Sequence, residues 1–282
     1  MEIVALYRGR GKGQNMPGSI NFSEQIAYFF LAFSHQTILI PVFILGFTLH
    51  KRMVFGHAFF LLLITIIFNA VLKSIFQVPL SPSVGKEGFA FPSGHMQASV
   101  AFYGWLIYSF SSLFLRILLL LLLGSIGWSL VYFSYHNWID ILGAVTFALL
   151  TLFSYQRAID STVWLKKRPD FMGIALVALS AVLLTYLSYK LRIPPHTWKV
   201  FYGLAGFSLS WIFFHKSVQK KSSWRENFLA LCLCTFSVVT IYLIFQWGPL
   251  KSYRQLQAFP MAFLIPLSIK LAQGGFLNVF RN

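Results

Sequence analysis

The run Phe91-Pro92-Ser93-Gly94-His95, with His136 and Asp140 further along, holds the residue types that could do chemistry in this chain. Asp140 is the one acidic residue that falls well inside an apolar run. A carboxylate at membrane depth is costly and is by default a functional-site candidate. It stands four residues after His136, so on a helix the two side chains share one face. A carboxylate beside an imidazole fixes its tautomer and supports an imidazolium, which suits the ring to act as nucleophile or general base. His95 follows a serine and a glycine at an expected helix start. Backbone N–H groups there, with Gly94 permitting close approach, make a ready anion site. Ser93 is expected both to cap that helix and to touch the anion. Lys73 would add a positive charge. Together these residues point to covalent phosphoryl chemistry at a membrane surface.

The elements that must position them follow from composition. The chain has 282 residues, 57% hydrophobic and 11% charged. Soluble domains carry about 25% charged residues, so a water-soluble fold of this length would leave too much apolar surface uncovered. The apolar runs are continuous rather than alternating, which selects helices over a barrel. The expected fold is an all-α polytopic membrane protein. At about 20 residues per crossing, spans are expected near 36–50, 54–77, 93–110, 113–133, 137–156, 171–189, 197–215, 226–245 and 258–277. The first is short, contains Pro41, and could extend back to Glu24. Asn21 and Glu24 have capping-box spacing, and Pro194-Pro195 marks a turn.

The net charge of +16 raises nucleic acid as a partner. The basic residues lie mostly in short loops between apolar runs, which fits the positive-inside rule and anionic lipid instead. The dense clusters at 157–168 and 216–225 fall on one side, read as cytoplasmic. Loop 78–92, the start of the third span and the 134–137 turn then face outward together. Residues 1–20 carry Arg8, Arg10 and Lys12 without a sustained apolar core, so no cleavable signal peptide is expected. Cys232 and Cys234 point about 200° apart on a helix, which disfavours a bridge.

Three blocks carry a resemblance. They are Lys73 with the loop after it, Phe91-Pro92-Ser93-Gly94-His95, and Ser129 through His136 to Asp140, with Gly143 three residues on. Their order and spacing resemble the type 2 phosphatidic acid phosphatase family, of the lipid phosphatase/haloperoxidase superfamily, over roughly residues 36–157. The resemblance implies a phosphatase-like helical bundle in residues 1–157, with residues 158–282 adding helices of unknown role. It implies that His136 attacks phosphorus and becomes phosphohistidine, that Asp140 orients it, and that His95 protonates the leaving oxygen. It implies phosphate contacts from Lys73, Ser93 and Gly94, a lipid phosphate or diphosphate as substrate, and neither metal nor cofactor. The expected location is a cell's inner (plasma) membrane, with the site on the outer side.

The sequence departs from the family at two arginines. The first block is Lys, six residues, then Arg-Pro; here those last positions are Leu80 and Ser81. The third opens Ser-Arg; here it is Ser129-Leu130. An arginine fork gives bidentate, charge-assisted hydrogen bonds that leucine cannot replace. Three readings stay open: Lys86 partly substitutes, with Ser129 as a further contact; the substrate is a phosphodiester of lower charge, as for the similar-looking sphingomyelin synthases, which would make the protein a lipid phosphotransferase; or the site is inactive and the chain is a scaffold or transporter. The later spans hold no deep acid, which argues against proton-coupled transport. His35, His50, His57, His196 and His215 lie near span ends without an acidic partner and read as structural or interfacial.

Overall fold

The computed structural model describes residues 21–81, 87–190 and 193–274. Its helices are α1 (Phe22–Ala32), α2 (Gln36–Leu49), α3 (Arg52–Phe76), α4 (Gly94–Ser109), α5 (Leu113–Tyr132), α6 (Trp138–Ser161), the short α7 (Val163–Lys167), α8 (Met172–Lys190), α9 (Pro195–Gln219), α10 (Trp224–Ile244) and α11 (Ala258–Gly274). Two 3-10 turns, Pro169–Phe171 and Gly248–Tyr253, precede α8 and α11. Among the described residues there is no strand, only one antiparallel bridge between Pro79 and Phe89.

A helix stands at each expected span. Five, α3, α5, α6, α8 and α10, are long and apolar enough to cross a membrane on their own. The pair α1 and α2 passes the same test together, bent by 50° at a break. The stretch back to Phe22 is thus helical, but the bend separates it from α2 where the expectation was one continued span. Asn21 stands at the N-cap of α1, but its side chain makes no capping hydrogen bond, so the expected box does not form. Pro195 occupies the first turn of α9, where its missing N–H costs nothing. Both cysteines are free, Cys234 buried and Cys232 exposed.

Helix α3 is the axis. Of its most apolar window 67% is buried, against 28% in α5 and 11% in α10. The outer helices show Leu113, Phe114, Leu120 and Leu121 on α5, and Phe228, Phe236 and Val239 on α10. Apolar faces of that extent belong against lipid. The core is aromatic: Phe43 stacks on Phe59 at 3.9 Å, and Phe60 on Trp211 at 5.2 Å. Phe207 and Trp211 of α9 thus enter the same cluster as α2 and α3. Helices α8 and α9 pack on α3, and α10 packs on α2.

The helices after residue 158 therefore share one core with those before it. Arg52 adds a polar tie, donating to the carbonyls of Ser217 (3.3 Å) and Lys220 (2.9 Å) and to Asn227 Oδ1 (2.5 Å). These contacts gather the starts of α3 and α10 with the end of α9 at one end of the bundle. At the opposite end lie the end of α3, the start of α4, the α5–α6 turn and the start of α9.

Helices α9 and α11 run side by side in parallel. A side chain on Gly203 would meet Ala258, and Ser210 Oγ donates to the Phe263 carbonyl at 2.5 Å. Between them Gly206 lies so close that an added Cβ would be 2.2 Å from the Phe259 carbonyl oxygen. Backbone cannot swing aside as a side chain can. Gly206→Ala is expected to destabilise by roughly 1–3 kcal/mol through overpacking. Gly124→Ala, with nothing within 4 Å, should be neutral or stabilising by about 1 kcal/mol from helix propensity. Thermal unfolding of the two variants in detergent, followed by tryptophan fluorescence, checks this; equal melting would refute the close packing.

Candidate active site

Helix α5 ends in a turn that aims His136. Ser134 adopts a left-handed conformation (φ 56°). The N–H of Tyr135 donates to the Leu130 carbonyl (3.1 Å) and that of Ser134 to Val131 (2.8 Å), the two bonds of a Schellman motif. Two residues later α6 begins with a capping box. Asn137 Oδ1 accepts from the Asp140 N–H (2.8 Å), and Asp140 Oδ2 accepts from the Asn137 N–H (3.1 Å). The same Oδ2 lies 3.3 Å from His136 Nδ1. An ionised carboxylate only accepts, so Nδ1 carries the proton and the lone pair sits on Nε2. His136 is thus held as a nucleophilic tautomer. Its conjugate acid is disfavoured by burial first and by the Lys73 charge second, against the opposing pull of Asp140, so its pKa lies below the ordinary imidazole value.

The second block is fastened to the third through the backbone. Ser93 N–H donates to the Asp140 carbonyl oxygen at 3.2 Å. From the other side Asn69 of α3 donates to the Pro92 carbonyl (3.2 Å) and to Gln97 Oε1 (2.7 Å). Gly94 lies against Asn69, whose Oδ1 would be 3.1 Å from an added Cβ. Gly143 leaves room for the Phe91 ring, which would otherwise be 2.3 Å from its Cβ. Ser93 stands at the N-cap of α4 as expected, but its hydroxyl does not cap the helix. The Oγ is buried with no partner among the described residues.

Lys73 lies one turn from the end of α3. Its Nζ donates to the Phe89 carbonyl at 2.7 Å, in a loop closed by Leu80 N–H to Gly88 O (3.0 Å) and Ala90 N–H to Val78 O (2.7 Å). From there its charge reaches Asp140, His136 and His95. Lys73, Ser93, Gly94, His95, His136 and Asp140 thus converge at one end of the bundle. His95 is exposed while His136 is largely covered and Asp140 is 3% exposed. The pair therefore sits beneath an accessible imidazole.

Ser129 stands apart from this group. It is fully buried and its hydroxyl donates to the Ser125 carbonyl at 2.7 Å. Leu130 is 1% exposed and packs in the core. Lys86 lies outside the described residues. Among these, no arginine appears with the charges that act on His95 or His136. No group of three or more His, Cys, Asp or Glu side chains among them is placed to hold a metal ion.

Two histidines read as structural from sequence belong here. His35, between α1 and α2, meets His95 edge-on with ring centroids 4.9 Å apart. His196, in the first turn of α9, lies within reach of the Lys73 charge. Neither has a local motif that would have revealed it. Asn69 was also missed, although a buried amide in an apolar run is itself a signal.

No protein-family model, curated protein or solved structure matches this chain. The likeness to the phosphatases therefore rests on the three blocks and their spacing.

Asn69 is the fastener that can be tested alone. Asn69→Leu should leave the Pro92 carbonyl and Gln97 unpaired, costing roughly 1–3 kcal/mol. Hydrogen exchange at residues 93–97 should accelerate by tenfold or more, while exchange at 137–141 changes little. Unchanged protection at 93–97 would show that Asn69 does not hold this segment.

Proposed function

We propose that this chain is an integral membrane phosphatase acting on a lipid phosphate or diphosphate through a phosphohistidine on His136. The observation that carries the reading is the His136–Asp140 contact, which leaves Nε2 as the free lone pair beside the fixed cation of Lys73. In the first step His136 Nε2 attacks phosphorus and the bond from phosphorus to the lipid oxygen breaks. His95 gives its proton to that oxygen, and the phosphate entering beside it supplies the negative charge that favours its imidazolium beforehand. In the second step water attacks phosphorus, His95 takes back a proton, and the P–N bond breaks to release phosphate and regenerate His136. Lys73, the Gly94 and His95 N–H groups and Ser93 Oγ neutralise charge on the phosphoryl oxygens.

The basic cluster at 216–225, at the opposite end of the bundle, supports a cytoplasmic side there and a site at the outer surface of the plasma membrane. Lipid reaches the site from the bilayer, and no nucleic acid takes part. Residues 1–157 carry the chemistry, and residues 158–282 buttress it.

A second reading draws on one observation. Leu130 is buried and leaves no cation where the family has arginine. A phosphodiester carries less charge to neutralise, and the phosphoryl group on His136 would then pass to a lipid or sugar hydroxyl instead of water.

Detergent-purified protein incubated with lipid phosphomonoesters, diphosphates and phosphodiesters separates the two. Phosphate release lost by 1,000-fold or more in His136→Ala, on the order of losing a catalytic nucleophile, supports the phosphatase. Head-group transfer lost in that variant would move the assignment to a transferase, and activity unaffected by it would refute both. The acid limb of kcat/KM should lie below 6.5, because burial and Lys73 hold His136 neutral. Lys73→Gln removes a cation that opposes the imidazolium, so that limb should move to higher pH in the residual activity. A shift to lower pH would contradict the assigned role of Lys73.

A further inference from the structure

A histidine that exchanges a proton with substrate through one ring nitrogen is oriented by the group that meets the other. His136 has Asp140 for this, at 3.3 Å. For His95 no carboxylate among the described residues plays that part. The charges acting on it are those of His35, His136 and Lys73. The ring in contact with His95 is His35, edge-on with centroids 4.9 Å apart.

The local fold directs His35 there. Helix α1 ends in a turn in which the N–H groups of Ser34 and His35 donate to the Leu31 and Ala32 carbonyls, both at 3.0 Å. The His35 carbonyl then accepts from the Ile38 and Leu39 N–H groups, both at 3.0 Å, and starts α2. As the N-cap residue its backbone is extended (φ −86°, ψ 147°), and its side chain does not cap the helix. The break between α1 and α2 is tied to both motif segments. Tyr103 of α4, 2% exposed, donates its hydroxyl to the Phe33 carbonyl at 3.0 Å. On α1 the Tyr28 ring lies 4.3 Å from Phe133, and Ser23 Oγ lies 3.1 Å from the Tyr132 hydroxyl, at the end of α5 that leads to His136. His35 is among the charges that act on His95 and not among those that act on His136. It therefore belongs with the acid of the reaction and not with the nucleophile.

We propose that His35 is a positioning residue for His95: its neutral imidazole accepts a hydrogen bond from the His95 ring nitrogen turned away from the substrate, which leaves the other N–H aimed at the leaving oxygen. This rests on the phosphoryl-transfer reading. Hydrogen bonds of this kind tighten in the substrate complex. Because the partner is neutral, the negative charge that holds the His95 imidazolium comes from the phosphate itself. His95 is thus readied by the substrate it protonates. When its proton passes to the leaving oxygen, His95 keeps the N–H toward His35 and is left neutral, able to take a proton from the attacking water.

The test is the dependence of kcat/KM on the leaving group, since kcat/KM reports the steps up to cleavage of the phosphorus–oxygen bond. Two phosphomonoesters with the same alkyl chain are compared. Dodecyl phosphate leaves as an alkoxide that needs a proton, and a dodecyl-substituted nitrophenyl phosphate leaves as a phenolate that does not. The full-length protein in detergent is assayed as wild type, His35→Phe, His35→Ala and His35→Gln. His35→Phe keeps an edge-on ring and removes the acceptor. It should lower kcat/KM for dodecyl phosphate about tenfold or more, and leave the nitrophenyl ester within about threefold, as partial loss of general acid catalysis implies. His35→Ala should show the same selectivity, and serves if His35→Phe does not fold. His35→Gln returns an acceptor oxygen and should recover part of the loss. Equal losses on both esters, a loss on neither, or no gain from glutamine over phenylalanine would overturn the role of His35, while activity abolished on both esters by His136→Ala would still uphold the phosphatase. If the wild type hydrolyses neither ester, the phosphatase reading fails and the role of His35 falls with it.

Discussion

A carboxylate with 3% exposure inside a helical bundle recovers its desolvation only through hydrogen bonds and nearby charge. Asp140 draws these from the groups that make the site. Its Oδ2 receives the Asn137 N–H and faces His136 Nδ1, and its backbone carbonyl receives the Ser93 N–H. One residue thereby starts α6, fixes the histidine tautomer and joins the two motif segments. Substituting Asp140 would disturb a helix cap, a proton position and a loop anchor together. Its loss could not be read as a purely electrostatic effect.

The remaining architecture keeps that joint dry and aligned. Helix α3 brings Asn69 and Lys73 to it from one turn to the next, and Asn69 holds the Pro92 carbonyl from below. Phe91 is seated by the space over Gly143, with Phe76 at 4.9 Å. Helix α3 is itself held by α9, through Phe60, Phe207 and Trp211, and by α8, whose Gly173 lies against Phe60. The C-terminal helices are thus part of the frame that sets the distance from Lys73 to His136. They also bring His196 to the same end. A chemistry carried by the first half depends on the second half for its geometry.

Much of this was legible in the sequence, and the reasons are local. Continuous apolar runs show helices because each must satisfy its own backbone in lipid, and a helix stands at every expected span. The i, i+4 spacing of His136 and Asp140 anticipates their contact, but not through a helix face: His136 precedes the Asn137 cap of α6, and the turn after α5 with the capping box brings the two together. The Asn137-x-x-Asp140 cap was equally readable, because a capping box is a short-range pattern at a helix start. The positions of His35 and His196 were not legible. They depend on a 50° bend between α1 and α2 and on the packing of α9 against α3, and no short-range pattern encodes either. Ser129 shows the converse error. A hydroxyl in a motif position bonds back to the carbonyl four residues earlier, a local alternative always open to serine in a helix.

The central claim is that His136 becomes covalently phosphorylated. The most direct measurement is an alkaline denaturing quench of the purified protein during turnover of a lipid phosphate labelled in its phosphoryl group, followed by peptide mass spectrometry at neutral to basic pH. The account predicts an acid-labile, base-stable phosphoryl group on His136, absent in His136→Ala. Turnover with label on no residue under conditions that trap phosphohistidine, or with label on a residue other than His136, would contradict it.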